Sequence, residues 1–130
     1  MTVYVETSAA AKLLVDEPES AQLSRYLDEL VQSGVALVSS ILIETELRRL
    51  AVRLDLSQAL VTDLLDRMDL VEPDRATFFE AGLLPGKGLR SLDALHIAVA
   101  VRVAAESMVA YDVRQSDAAR SVGLRVVAPA

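Results

Sequence analysis

Short apolar runs alternate along this chain with longer stretches of helical spacing. Val3-Tyr-Val-Glu6 opens with β-branched and aromatic residues and predicts a strand, with Thr7-Ser8 placed to cap a helix behind it. Leu23, Leu27, Leu30 and Val31 recur at three- and four-residue intervals. They predict a helix from Glu19 to Ser33, with Pro18 at its start and Gly34 ending it. Val35-Ala-Leu-Val38 is apolar throughout, as in a strand covered on both faces. Ser39-Ser40 opens a helix through Leu54, and a further helix from Ser57 to Asp69 leads into Leu70-Val71. Asp74 caps a helix ending at Gly82, and the Gly/Pro-rich LLPGKGLRS stretch reads as a loop. Ser91 then caps a helix from Leu92 to Ala105. Ser107–Ala110 follows as a strand, Val113–Val122 as a helix and Leu124–Val127 as a last strand. Repeated strand–helix alternation predicts one α/β domain over residues 1–130. Its centre is a parallel sheet of four to five short strands, flanked by helices on both faces.

Composition narrows the chemistry. The 130 residues suffice for one domain, and 52% of them are apolar. A net charge of −6 excludes a broadly basic nucleic-acid-gripping surface. Without cysteine there are no disulfides, iron–sulfur clusters or thiolate zinc sites. A single histidine rules out a His-rich metal site, so catalysis would rest on carboxylates, hydroxyls and a divalent cation. The start carries no basic leader, and Ala94–Val101 is too short to span a bilayer, so the expected location is the cytoplasm with no membrane partner.

In parallel α/β sheets, sites form where strands turn into helices at their carboxyl ends. Glu6 follows the first strand and Asp112 the fourth. On the helix after Ser40, Glu44 precedes Arg48 by four residues, the spacing of an exposed ion pair. Glu46 lies instead about 60° from the middle of the Ile43/Leu47/Leu50/Leu54 stripe, with a pairing to Arg49 as its plainer explanation. Asp93 sits in the first turn of a helix apolar all round, where free N–H groups favour an anion whether or not it has a further role. Four acids brought to one pocket would repel unless a hard cation such as Mg²⁺ or Mn²⁺ joined them; scattered caps and salt bridges are the alternative.

The segment VYVETSAAAKLLVDEPES resembles the opening of PIN-domain ribonucleases, specifically the VapC toxins of bacterial toxin–antitoxin pairs. Ser40-Ile-Leu-Ile-Glu-Thr-Glu46-Leu-Arg-Arg resembles their second acidic motif, Leu89-Arg-Ser-Leu-Asp93-Ala-Leu-His96 the third and Met108-Val-Ala-Tyr-Asp112-Val-Arg the fourth. The likeness covers nearly the whole chain in order. It implies a PIN fold and a Mg²⁺- or Mn²⁺-dependent endoribonuclease that cuts tRNA or other structured RNA, leaves 3′-hydroxyl and 5′-phosphate ends and arrests growth. It also implies a homodimer neutralised by a cognate VapB-type antitoxin. Carried over, Glu6, Glu46, Asp93 and Asp112 form the acidic quartet, Glu6, Asp93 and Asp112 hold the metal, and Thr7, Ser8 and Ser40 support them. Two positions depart from the pattern. Glu6 stands where the family usually has Asp, and Ala110 where it often has Thr or Ser.

Asp117 is a further candidate acid, although its helix reads as a surface one. Lys87, Arg90 and Lys12 are candidate RNA phosphate contacts, with a solvated surface as the plainer reading. His96 reads as a satisfied core residue, able to bond Asp93 or a backbone carbonyl. Leu60, Val61, Leu64 and Leu65 supply either core or a dimer or antitoxin surface. Two rival readings remain: a catalytically weak or inactive PIN-fold module that only binds RNA or protein, and an aspartyl phosphotransfer domain, which Glu6-Thr7-Ser8 fits poorly for want of a paired Asp.

Overall fold

In the computed structural model, which describes all 130 residues, the chain runs β1 (Thr2–Val5), α1 (Thr7–Leu14), α2 (Ser20–Gln32), β2 (Ala36–Ser40), α3 (Leu42–Leu54) and α4 (Gln58–Leu65). It continues through β3 (Asp69–Val71), α5 (Arg75–Gly82), α6 (Ser91–Arg102), β4 (Ser107–Val109), α7 (Val113–Ser121) and β5 (Val126–Val127). All strand pairings are parallel, in the order β3-β2-β1-β4-β5. β1 is therefore central, and the chain leaves it on one side through β2 and returns on the other at β4. That reversal places a crevice at the carboxyl ends of β1 and β4.

Side-chain alternation along the strands divides the core in two. Val3 and Val5 join Leu37 and Val109 beneath Ala9, Leu23, Leu27, Ile43, Leu47 and Val61, which come from α1 to α4. Tyr4, Val38 and Met108 face the opposite way, against Ile97, Val99 and Ala119 of α6 and α7. α6 is buried from Ala94 to Ala100 because α5 covers its other side. No helix is long and apolar enough to cross a membrane.

Several boundaries differ from the sequence expectation, and the reasons are local. Ser39 and Ser40 belong to β2, not to the following helix: Ser39 Oγ donates to the Val5 carbonyl at 2.7 Å, tying it to the neighbouring strand. Glu6, not Thr7 or Ser8, caps α1, accepting from Ser8 N at 2.8 Å. Ser91 lies inside α6, whose cap residue Arg90 makes no side-chain bond to the helix. α6 stops at Arg102, ahead of Ala105, because Ala104 turns into the left-handed region at φ +53°. α4 stops at Leu65, so β3 begins at Asp69. Asp74 does cap α5, as expected, and Asp112 caps α7; they accept from Thr77 N and Gln115 N, each at 2.9 Å. Gly34, at φ +82°, takes the chain out of α2 through a backbone shape that disfavours a side chain.

Of the apolar residues offered as a possible binding surface, Val61, Leu64 and Leu65 are core, and only Leu60 is exposed. Replacing fully buried Leu47 with Ala is expected to cost about 2–5 kcal/mol in urea unfolding, the usual range for emptying a core Leu site. Leu60→Ala should change stability by less than about 0.5 kcal/mol, and comparable losses in the two variants would contradict this packing.

Candidate active site

The four carboxylates lie at one end of the sheet, each set there by a different local rule. Glu6 directly follows β1, and its amide bonds the Val109 carbonyl at 3.1 Å, seating it beside the end of β4. Asp112 caps α7 just beyond β4. Asp93 occupies the first turn of α6, and Glu46 projects from the second turn of α3 at the edge of the core.

Glu6 is almost wholly buried and is held by uncharged donors. Its Oε2 accepts from Ser8 N at 2.8 Å and from Ser8 Oγ at 2.5 Å. Ser8 Oγ in turn accepts from Tyr111 N at 2.9 Å, locking the end of β4 to the start of α1. Gln115, fully buried on α7, supplies a further donor. In one amide orientation it reaches only the Asp93 carbonyl, at 3.4 Å; in the other its nitrogen lies 3.0 and 3.2 Å from the two oxygens of Glu6. The shorter double contact fixes the second orientation. Burial pushes the Glu6 carboxyl above its ordinary range, against the pull of Ser8.

Glu46 does not pair with Arg49. Its Oε1 accepts from Thr7 Oγ1 at 2.8 Å and stands 2.6 Å from His96 Nε2. His96 is the satisfied core residue anticipated, but its partners are Tyr4 and Glu46, not Asp93 or a backbone carbonyl. Glu44 makes the expected pair with Arg48 at 2.8 Å. Ser40, buried, accepts from Leu42 N at 3.2 Å and so supports the start of α3 without touching a carboxylate.

Asp93 takes no side-chain hydrogen bond from the protein. Its carboxyl is pushed up, first by burial, then by the nearby charge of Asp112 and, more weakly, of Glu46, with His96 and then Arg90 acting the other way. Asp93 and Asp112 line one open cleft with Gly88, Arg90, Tyr111, Val113 and Arg114. Sequence reasoning passed over Arg114 and Gln115, although both lie within one turn of Asp112 in α7. No lysine or arginine forms an ion pair with any of the four acids.

An all-oxygen donor set of this kind suits a hard divalent cation. The acids share a crevice but do not close a cage, since no three His, Asp or Glu side chains stand at ligand spacing. Like charges sit apart, with Glu6, Glu46 and Asp112 each on its own donors and Asp93 without one.

The remaining candidates divide. Lys12 is engaged by Glu19 at 3.0 Å and Glu17 at 3.5 Å, with its ammonium 4.7 Å from the Tyr111 ring centre, so it is not a free cation. Lys87 is exposed in the loop, and Arg90 is exposed on the cleft. Asp117 is an exposed surface residue 3.6 Å from Arg120.

A family model described as "PIN domain" matches residues 3–121. Ribonuclease VapC35 of Mycobacterium tuberculosis is 38% identical, over 98% of this chain and 96% of its own. Among solved structures, VapBC2 of Rickettsia felis bound to a promoter DNA fragment superposes with TM-score 0.77 at 16% identity, covering 100% of both chains. VapC20 of Mycobacterium tuberculosis, a sarcin–ricin loop cleaving toxin, superposes at 0.74 with 20% identity, covering 98% of this chain and 99% of its own.

Because the native state raises the Asp93 carboxyl, it holds that proton more tightly than the unfolded chain does. Ionisation of Asp93 therefore weighs against folding. The penalty is absent below the ordinary value of 3.8, grows as pH rises toward the folded value and is constant above it. With chelator present, Asp93→Asn should raise the melting temperature at neutral pH by on the order of a few degrees. The advantage should shrink as pH falls toward about 4. A variant less stable than the parent across that range would contradict the assigned cost of ionising Asp93.

Proposed function

Because this chain belongs to the PIN-domain family, as a VapC-type ribonuclease, we propose that it is the toxin of a type II toxin–antitoxin pair. It hydrolyses phosphodiester bonds of a structured RNA, with Glu6, Glu46, Asp93 and Asp112 as its working carboxylates. The observation that carries this reading is the gathering of four acids, unpaired with lysine or arginine, at one end of the sheet, where Asp93 and Asp112 line an open cleft. Structured RNA as substrate draws support from the sarcin–ricin loop cleaved by VapC20, and tRNA belongs to the same class. Cleavage of such RNA would inhibit translation and growth.

Glu6, Asp93 and Asp112 would hold Mg²⁺ or Mn²⁺, which supplies a Lewis acid for the phosphoryl oxygens and lowers the pKa of water. Ser8 and Gln115 hold the Glu6 carboxylate in place, and Thr7 holds that of Glu46. The longer Glu6, in place of the usual Asp, is accommodated by this cradle. Arg90 and Arg114 flank the cleft and offer planar donors to the phosphates of an incoming strand, and exposed Lys87 in the loop before α6 offers a further cation. In a protein of net charge −6, such local cations are what permit the approach of a polyanion.

The proposal includes a VapB-type antitoxin and a homodimer. Exposed Phe78, Phe79 and Leu83 along α5 are apolar area that contacts of this kind consume.

Purified protein incubated with tRNA or ribosomal RNA and Mg²⁺ or Mn²⁺ should yield fragments with 5′-phosphate ends. Asp93→Asn should slow cleavage by about 100-fold or more, the scale of losing one charge-stabilising group. RNA left equally intact by both proteins with both ions would favour a PIN module that only binds. Mn²⁺ should also raise the melting temperature by binding the folded state, less in Asp93→Asn and Asp112→Asn but undiminished in Glu44→Gln. An equal response in all three variants would mean that other carboxylates hold the ion.

A further inference from the structure

The only histidine of the chain is fully buried, three residues from Asp93, yet it makes no hydrogen bond to that acid. Its ring instead bridges two others. Nδ1 lies 2.6 Å from the Tyr4 hydroxyl, and Nε2 lies 2.6 Å from Glu46 Oε1 and 3.1 Å from Thr7 Oγ1. The Tyr4 and His96 rings meet edge to face, with centres 5.9 Å apart.

Hydrogen-bond accounting gives this chain a direction. Tyr4 oxygen already accepts from Ser40 N at 3.1 Å, and the Ser39 hydroxyl proton is committed to the Val5 carbonyl. The Tyr4 hydroxyl therefore has one proton to give. Nδ1, at 2.6 Å, is the acceptor that the Tyr4 hydroxyl meets at hydrogen-bond distance. A ring whose Nδ1 accepts carries its proton on Nε2, where the nearest acceptor is the carboxylate of Glu46. Thr7 donates to the same Oε1, which leaves Oε2 of Glu46 with no hydrogen bond from the protein.

We propose that His96 is a positioning residue for Glu46: held by Tyr4 as the Nε2–H tautomer, it fixes Oε1 and leaves Oε2 available to the cleavage chemistry. Four elements converge on this brace, Tyr4 from β1, Thr7 from α1, Glu46 from α3 and His96 from α6. It reaches across the sheet's carboxyl end from the buried face of β1. The inference rests on the assignment of Glu46 to the RNA-cleaving site.

The lone histidine makes the test direct. Nitrogen-15 labelling of histidine gives two ring signals, which report the nitrogen that carries the proton. The expected spectrum has a protonated Nε2 and a bare Nδ1. Tyr4→Phe, which keeps the ring but removes the donor, should shift Nδ1 and let the two tautomers mix. Glu46→Gln should shift Nε2 and leave Nδ1 bare. Tyr4→Phe should also lower kcat for RNA cleavage by about tenfold with KM within about twofold of the parent, as for a misplaced carboxylate. A proton on Nδ1 in the parent, or ring signals unmoved by Tyr4→Phe, overturns the brace even where Glu46→Gln abolishes cleavage. Cleavage by Glu46→Gln at the parent rate would instead remove Glu46 from the site, and the proposed role with it.

Discussion

Mutual repulsion among carboxylates at the carboxyl end of a small parallel sheet is the constraint around which this molecule is arranged. Charges of one sign brought together raise each other's free energy, and burial adds a desolvation penalty. An ordinary fold would answer with lysine or arginine. Here the donors are of another kind: the backbone and hydroxyl of Ser8, the amide of Gln115, the hydroxyl of Thr7 and the imidazole of His96. Helix starts contribute as well, since Glu6 and Asp112 cap α1 and α7 and Asp93 lies in the first turn of α6. The partial positive end of each helix favours an anion there. The sheet order, with β1 central and β4 beside it, brings those helix starts to one crevice.

The sequence exposes this architecture unevenly. Continuous apolar runs such as Val35–Val38 and the fully apolar helix around Ile97 mark buried strands and a buried helix, because covering both faces leaves no polar stripe to read. Boundaries are harder where serine intervenes. Ser39 and Ser40 resemble helix caps in isolation, and only the neighbouring strand, offering the Val5 carbonyl, makes them strand residues. Glu6 looked like the end of a strand and is also the cap of the next helix, a double duty that residue type alone does not disclose.

The acids were legible and their partners were not. Position at strand ends and helix starts picks out Glu6, Asp93 and Asp112, and a place at the edge of the stripe on α3 picks out Glu46. The contacts that hold them join residues far apart in sequence, Thr7 with Glu46 and Glu6 with Gln115, and no periodicity encodes such a pairing. Nothing in the polar run of α7 sets Gln115 apart in the sequence; its burial emerges only from the packed fold. Lys12 illustrates the reverse error: one turn beyond Ser8 it suggested a phosphate contact, yet Glu17 and Glu19 at the α1–α2 junction claim it.

The capping roles have a practical side for anyone wanting an inert copy of the protein to co-crystallise with uncut RNA. Truncating Glu6 or Asp112 to alanine would strip a helix of its terminal acceptor, and a dead sample would then be hard to tell from a frayed one. Asp93, which no protein donor holds, is the acid whose charge can be erased while the scaffold around it keeps every bond it had.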